Sequence, residues 1–326
     1  MRNEISRLVS TVDDPQTKRD AVLLLPLHPL LGRASQERPS VRIYPRSLLA
    51  KDLTLPLSSD WDRIKSPADD QIVPYSDLPA GDAKNLNKLA VLKVNGGLGT
   101  SMGMSISFQG SRSPKSAQTN RASQHHLSRD VPLILMTSFN THEDTLRIIK
   151  KYANQQLRIT TFNQSRYPRI FKETLLPCPK RADDDKKAWY PPGHGDVYNA
   201  LLHSGVLDQL LSEGKEYLFI SNSDNLGAVV DESILQHMID SGSEFIMEVT
   251  DKTKADVKAR SIRLLEIAQV PSNTSRTSIR KFKIFNTNNL WVNLKALKRI
   301  METEAMDLEI IINPKTTDDG QAVIQV

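Results

Sequence analysis

The sequence predicts an α/β fold built on a mostly parallel, doubly wound sheet, and three observations carry that expectation. Short apolar runs of strand length alternate with helix-length amphipathic stretches from about residue 88 onward. The first run, Leu89-Ala90-Val91-Leu92-Lys93-Val94, passes directly into the glycine-rich Asn95-Gly96-Gly97-Leu98-Gly99-Thr100. Polar motifs then recur just past successive predicted strands, where ligands bind in sheets of this kind. They are Asn95-Gly96-Gly97, Phe162-Asn163-Gln164-Ser165, Pro192-Gly193-His194-Gly195-Asp196 and Asn222-Ser223-Asp224-Asn225.

Composition narrows the function. The 326 residues suffice for one large α/β domain or two smaller ones, and 39% apolar with 25% charged residues is a foldable mixture. A formal charge of +5 suits anionic small molecules, and the chain shows no basic-aromatic pattern of a nucleic-acid binder. Cys178 is the only cysteine, which excludes an intrachain disulfide and a cysteine metal cluster and points to a reducing compartment. No apolar run approaches the roughly 20 residues of a membrane span. AVLLLPLHPLL (21–31) is short and broken by Pro26, His28 and Pro29, a poor signal peptide. These points favour a cytoplasmic protein with no membrane partner.

The elements follow in order. Residues 1–58 hold no sustained period, and Pro15, Pro26, Pro29, Pro39, Pro45 and Pro56 interrupt every candidate element. They read as a poorly ordered leader, with the folded domain running from 59 to 326. Segment 105–130 is polar and lacks the apolar stripe that a crossover helix would need. VPLILMTSF (131–139) reads as a buried strand, and 141–155 as a helix with Leu146, Ile149 and Ala153 on one face and a capping-box-like start at Thr141 and Asp144. RITTF (158–162) is a strand. YPPGHGD (190–196) is a loop before one helix to about Glu213, EYLFIS (216–221) is a strand, and a helix starts at Asp231. FIMEVT, IRLLEIA and KFKIFN read as further strands and LWVNLKALKRIME (290–302) as a helix.

Each polar motif has a ligand reading and a plain one. Glycines 96 and 97 let backbone N–H groups close on a phosphate, yet Asn-Gly also spells a hairpin turn. Asp224 after a strand is a suitable Mg²⁺ ligand, since that ion takes one or two carboxylates plus phosphate and water; an Asx turn is the alternative. Gly193-His194-Gly195 lets backbone approach a flat base while the imidazole donates, or it is a turn with an exposed histidine. Gln164 is able to pair with an amide-like base edge such as uracil, or it is a surface glutamine.

Eight ordered stretches together resemble the eukaryotic UTP–glucose-1-phosphate uridylyltransferases, also called UDP-glucose pyrophosphorylases. They are LAVLKVNGGLGTSMG (89–103), PLILMTSFNTHEDT (132–145), FNQSRYPRI (162–170), WYPPGHGDVYNAL (189–201), FISNSDNLGA (219–228), EVTDKTKADVK (248–258), LLEIAQVP (264–271) and KFKIFNTNNLW (281–291). The resemblance implies a Rossmann-like nucleotidyltransferase domain with UTP and glucose-1-phosphate as substrates and Mg²⁺ as cofactor. It places Val94, Asn95, Gly96, Gly97, Gln164, Gly193 and Asp224 on the nucleotide. It places His194, Asn222 and Asn288 on the sugar phosphate or UDP-sugar, and the metal on Asp224.

Several positions depart from the family pattern. The family's Lys-Ser pair close behind the glycine loop is met only by Lys115-Ser116, several residues late, so Lys115 is the candidate catalytic lysine. Lys258 is followed by Ala259-Arg260-Ser261 rather than Gly-Gly-Thr-Leu, and SNTSRTSIRK (272–281) looks substituted. The family's later catalytic lysine and C-terminal β-helix have no counterpart before Val326, so the expectation is impaired turnover and no family-type oligomer. Two alternatives remain at this level: an inactive UTP- or UDP-sugar-binding paralogue or fragment, and a UDP-N-acetylhexosamine pyrophosphorylase. The latter family carries Arg-Leu-Gly where this chain has Ser101-Met102-Gly103.

Overall fold

Six strands line up in the order β3-β2-β1-β7-β9-β8, with β1 (Leu89–Val94) near the middle, β2 (Leu133–Thr137), β3 (Ile159–Asn163), β7 (Tyr217–Asn222), β8 (Phe245–Asp251) and β9 (Ile284–Asn293). The structure is a computed structural model that describes residues 71–97, 131–153, 157–174, 177–178, 186–225, 227–251, 284–303, 313–317 and 320–325. The expectations for 1–58, 105–130, IRLLEIA and Lys115 lie outside the described residues.

Strands β3, β2, β1 and β7 are mutually parallel, and β9 pairs antiparallel with both β7 and β8, so the sheet is mixed but mostly parallel as expected. In β1 the register sets Val94 beside Met136 on one neighbour and Asn222 on the other. All four parallel strands therefore end at one edge.

Both faces of the sheet are covered because side chains alternate along each strand. Ala90, Leu92, Ile134, Met136, Leu218 and Ile220 turn to one core, filled from helices α2 (Val197–His203), α3 (Val206–Ser212) and α5 (Leu294–Glu302). Leu89, Val91, Leu133, Leu135, Phe219 and Trp291 turn to the other, filled from α4 (Glu232–Ser241) and flanked by Ile149 of α1 (His142–Ile149). This is the doubly wound arrangement.

Several details of the elements differ from the sequence expectation: α1 itself stops at Ile149, short of the expected 155, and tightens into a 3-10 turn over Lys150–Tyr152. The single helix expected up to Glu213 is two, α2 and α3, because Gly205 sits at φ 76° between them. A left-handed glycine ends a helix, while the apolar period runs on across the break and hides it. Leu290 to Asn293 belong to β9, not to the following helix; Asn293 Oδ1 accepts from the N–H groups of Lys295 and Ala296 and starts α5 there. Thr141 makes no capping bond to α1; its hydroxyl instead donates to the Asn95 carbonyl at 2.7 Å.

Two small sheets flank the main one. β5 (Ile170–Phe171) pairs with β11 (Ala322–Gln325), which pairs with β10 (Asn313–Thr316), and β4 (Tyr167–Pro168) pairs with β6 (Trp189–Tyr190). These two- to four-residue strands are too short to show a period in sequence. Among the described residues no helix is long and apolar enough to cross a membrane.

Candidate functional site

The carboxyl edge of the four parallel strands gathers the polar motifs. Asn95, at the end of β1, is 4% exposed, and its groups serve the fold. Its N–H donates to Met136 O at 2.8 Å, its Nδ2 to Thr145 Oγ1 at 3.0 Å, and its Oδ1 accepts from Ser223 Oγ at 3.1 Å. It is a strut joining β1, α1 and β7. Val94 packs its side chain against the first core and lends its carbonyl to Ser223 N–H at 3.1 Å.

Gly96 is glycine for a steric reason. Its carbonyl accepts from Ser138 Oγ at 2.7 Å, and a Cβ there would overlap the Gln164 amide nitrogen. Gly97 is exposed, and no described atom lies within 4 Å of the Cβ it lacks. Gln164, 5% exposed, is anchored by its N–H to Thr137 O at 2.9 Å, and its Oε1 accepts from Gly193 N–H at 2.8 Å. Gly193 stands at φ 90°, ψ −147°, a conformation open essentially to glycine alone.

His194 follows and reaches across to β7, its Nε2 lying 2.7 Å from Asn222 Oδ1. An amide oxygen only accepts, so Nε2 carries the proton and, in the neutral ring, Nδ1 remains an acceptor. The same Asn222 oxygen accepts from Asn288 Nδ2 at 2.9 Å. Asn288 reaches that place because β8 and β9 slip between Glu248 and Val249, leaving Thr287 and Asn288 bulged out of register. The bulge puts Asn288 at φ 59°, which asparagine tolerates, and its N–H donates to Asn286 Oδ1 at 2.8 Å. Asp224 is exposed in the turn after β7, where Asn225 N–H returns to Asn222 O at 3.3 Å.

The contacts form one chain: Gly96 under Gln164, Gln164 to Gly193, His194 to Asn222, and Asn222 both to Asn288 and into the turn of Asp224. Gln164 and Asp224 therefore both lie along the carboxyl edge of the sheet, not on opposite faces. Lys115 lies outside the described residues.

Sequence reading missed the residues that hold these in place. Asp196, buried, accepts from Ser165 N–H at 2.6 Å and Ser165 Oγ at 3.1 Å, fastening the Gly193-His194 loop to the end of β3. Glu248 accepts from Trp291 Nε1 at 2.7 Å and Asn289 Nδ2 at 3.0 Å, bracing the bulge. Lys93, which breaks the apolar run of β1, is 3% exposed, and burial lowers its pKa to about 8 against a smaller opposing pull from Glu248. Its interruption of the run was the one sequence signal for this group.

A doubly wound sheet with a glycine turn after its central strand and amide groups gathered at the carboxyl edge is the arrangement of a Rossmann-like α/β domain. The chain belongs to the UTP--glucose-1-phosphate uridylyltransferase family, whose model matches residues 54–326. It is 49% identical over 296 residues to the UTP--glucose-1-phosphate uridylyltransferase of Solanum tuberosum, spanning 82% of this chain and 60% of that one. It is 50% identical over 291 residues to the Saccharomyces cerevisiae protein of the same description, spanning 81% and 57%. The chain thus spans less than two thirds of the length of these relatives. Among solved structures, a mutant UDP-glucose pyrophosphorylase from Leishmania major in complex with UDP-Glc superposes with a TM-score of 0.73 at 27% identity, covering 93% of this chain and 71% of that one.

Proposed function

We propose that this chain binds UTP and glucose-1-phosphate and transfers the uridylyl group, a glucose-1-phosphate oxygen attacking the α-phosphorus of UTP and pyrophosphate leaving. The observation that carries this reading is the continuous line of contacts from Gln164 through Gly193-His194 to Asn222 and Asn288. It sets a base-reading amide at one end of the cleft and a cluster of amide and imidazole groups at the other. Such a transfer needs positioning and charge neutralisation more than covalent help from the protein.

Each residue has a part. Gly96 makes room for the Gln164 amide, and the open Gly97 lets the nucleotide come close to the backbone. Gln164 reads uracil: Oε1 retains a second lone pair beside its bond from Gly193, and Nε2 donates to a ring carbonyl. Cytosine presents the reverse pattern of donor and acceptor, so the pair favours UTP. His194, Asn222 and Asn288 orient the sugar phosphate. Among the described residues no group of three or more His, Cys, Asp or Glu side chains is placed to hold a metal. A single exposed carboxylate suits Mg²⁺, which keeps water and phosphate oxygens for its other positions, so Asp224 would hold it. The bound ion supplies charge neutralisation on the phosphates.

Residues 59–326 are proposed as the domain that does this, in the cytoplasm, a compartment in keeping with one lone cysteine. Its partners in this reading are small anions, not nucleic acid or membrane. The test is pyrophosphate release from UTP and glucose-1-phosphate, run beside equilibrium binding of UTP. Mg²⁺-dependent UTP binding with release of pyrophosphate is the expected result; absence of UTP binding rejects the reading.

A further inference from the structure

We propose that Lys93 is a positioning residue: its side chain, buried beneath the carboxyl edge of the sheet, pins the turn bearing Asn222 and Asp224 from both sides. Lys93 follows Leu89 and Val91 on the face of β1 that meets Phe219 and Trp291, so it points away from the side to which Val94 turns. In register it stands beside Ser221 of β7. Its Nζ donates to Ser221 Oγ at 2.6 Å and to the Ala228 carbonyl at 2.9 Å. Ser221 immediately precedes Asn222, and Ala228 is where the chain returns beyond the turn. One ammonium group thus holds the entry and the exit.

Packing alone gives no reason for a charge here. Removing an ammonium from water costs several kcal/mol, and an apolar side chain would fill the same strand position without that cost. The compensation comes from the two bonds, from the Phe219 ring 5.5 Å away, and from the field of Glu248 on β8. Glu248 is the carboxylate that braces the Asn288 bulge through Asn289 and Trp291. The buried charge therefore touches one polar arm of the cleft directly and the other through its counter-charge. A lysine serving only fold stability would support the whole sheet evenly; this one is attached to the turn.

The link to ligand binding rests on the uridylyl-transfer reading, whereas the pinning of the turn does not. The experiment separates them. In the full chain, Lys93→Met is expected to speed hydrogen exchange of the Ser223, Asn225 and Ala228 amides by about tenfold or more while the strand amides of Val91, Leu92 and Phe219 keep their protection. Ser221→Ala, which removes one acceptor and keeps the lysine, should act in the same direction to a smaller extent, and decides the matter if Lys93→Met does not fold. Unchanged turn exchange, or equal acceleration in strands and turn, overturns the proposal. In a second arm, both variants should lose about tenfold of the Mg²⁺-dependent gain in UTP affinity with the metal-free affinity held within about twofold. If the unaltered chain binds no UTP, the function reading falls, and the exchange arm still decides the role of Lys93.

Discussion

Gln164 is held at both ends, by its N–H to Thr137 O and by its side-chain oxygen to Gly193 N–H, and it lies directly over Gly96. Its amide is therefore fixed in one orientation. Truncation frees the Gly193 loop and, in the proposed reading, removes the amide that pairs with uracil. Gln164→Ala is expected to weaken UTP by about 10–100-fold and to narrow any preference over CTP, measured by calorimetric titration with both nucleotides. Lys93 gives a second residue-scale expectation. Its pKa is about 8 in the folded chain against an ordinary 10.5, with Glu248 the charged group acting on it. Below pH 8 both folded and unfolded chains carry the proton and the burial cost stands in full. Between 8 and 10.5 the unfolded chain binds the proton and the folded chain does not, so stability rises with pH. The urea stability of the native chain relative to Lys93→Met should climb across that window by about 3 kcal/mol at most. A flat difference would contradict a buried, depressed lysine. The positions of Gln164 and Asn222 were legible because one follows a sequence-predicted strand and the other ends one. Asp196 and Glu248 were not: their roles are bonds to residues 31 to 43 positions away, and no local spacing encodes those.

At the scale of elements, α4 shows what the sequence states plainly. Asp231 precedes the helix, and its Oδ1 accepts from the N–H groups of Ser233 at 2.9 Å and Ile234 at 3.2 Å. Its other oxygen accepts from Tyr75 Oη at 2.7 Å, so the cap also ties in the segment leading to β1. Asp231→Ala should cost about 1–2 kcal/mol in chemical denaturation, while Asp231→Asn, which keeps a capping oxygen, should recover most of it. The contrasting case is the stretch from Val197 to Ser212. Leu201, Val206, Leu207 and Leu210 all enter one core, so the apolar pattern reads as continuous and only Gly205 marks the break. Asn288 is similar: a bulge is set by the slip between two strands, and KFKIFNTNN alone carries no sign of where β8 will lose register. Elements defined by their own period were legible, and those defined by a partner were not.

For the whole molecule, the sheet is a wall between two cores that share few side chains. Ile134 of β2 lies wholly within the first core and Ile234 of α4 within the second. Removing one methylene from either costs about 0.5–1.5 kcal/mol through lost burial and an incompletely closed gap. Groups without common neighbours act independently, so the double variant Ile134→Val with Ile234→Val should lose the sum of the two single losses to within about 0.5 kcal/mol. A combined loss of about 1–3 kcal/mol is small beside the roughly 5–15 kcal/mol that holds a domain together, so the double variant remains folded and measurable. Neither isoleucine reaches the carboxyl edge, where Gln164, His194, Asn222 and Asn288 hold one another. UTP affinity should therefore be unchanged in all three variants while the urea midpoints fall. A deficit beyond the sum would mean that the sheet passes strain from one core to the other. A parallel loss of UTP affinity would mean that the cleft depends on core packing, and not on its own network of bonds, for its shape.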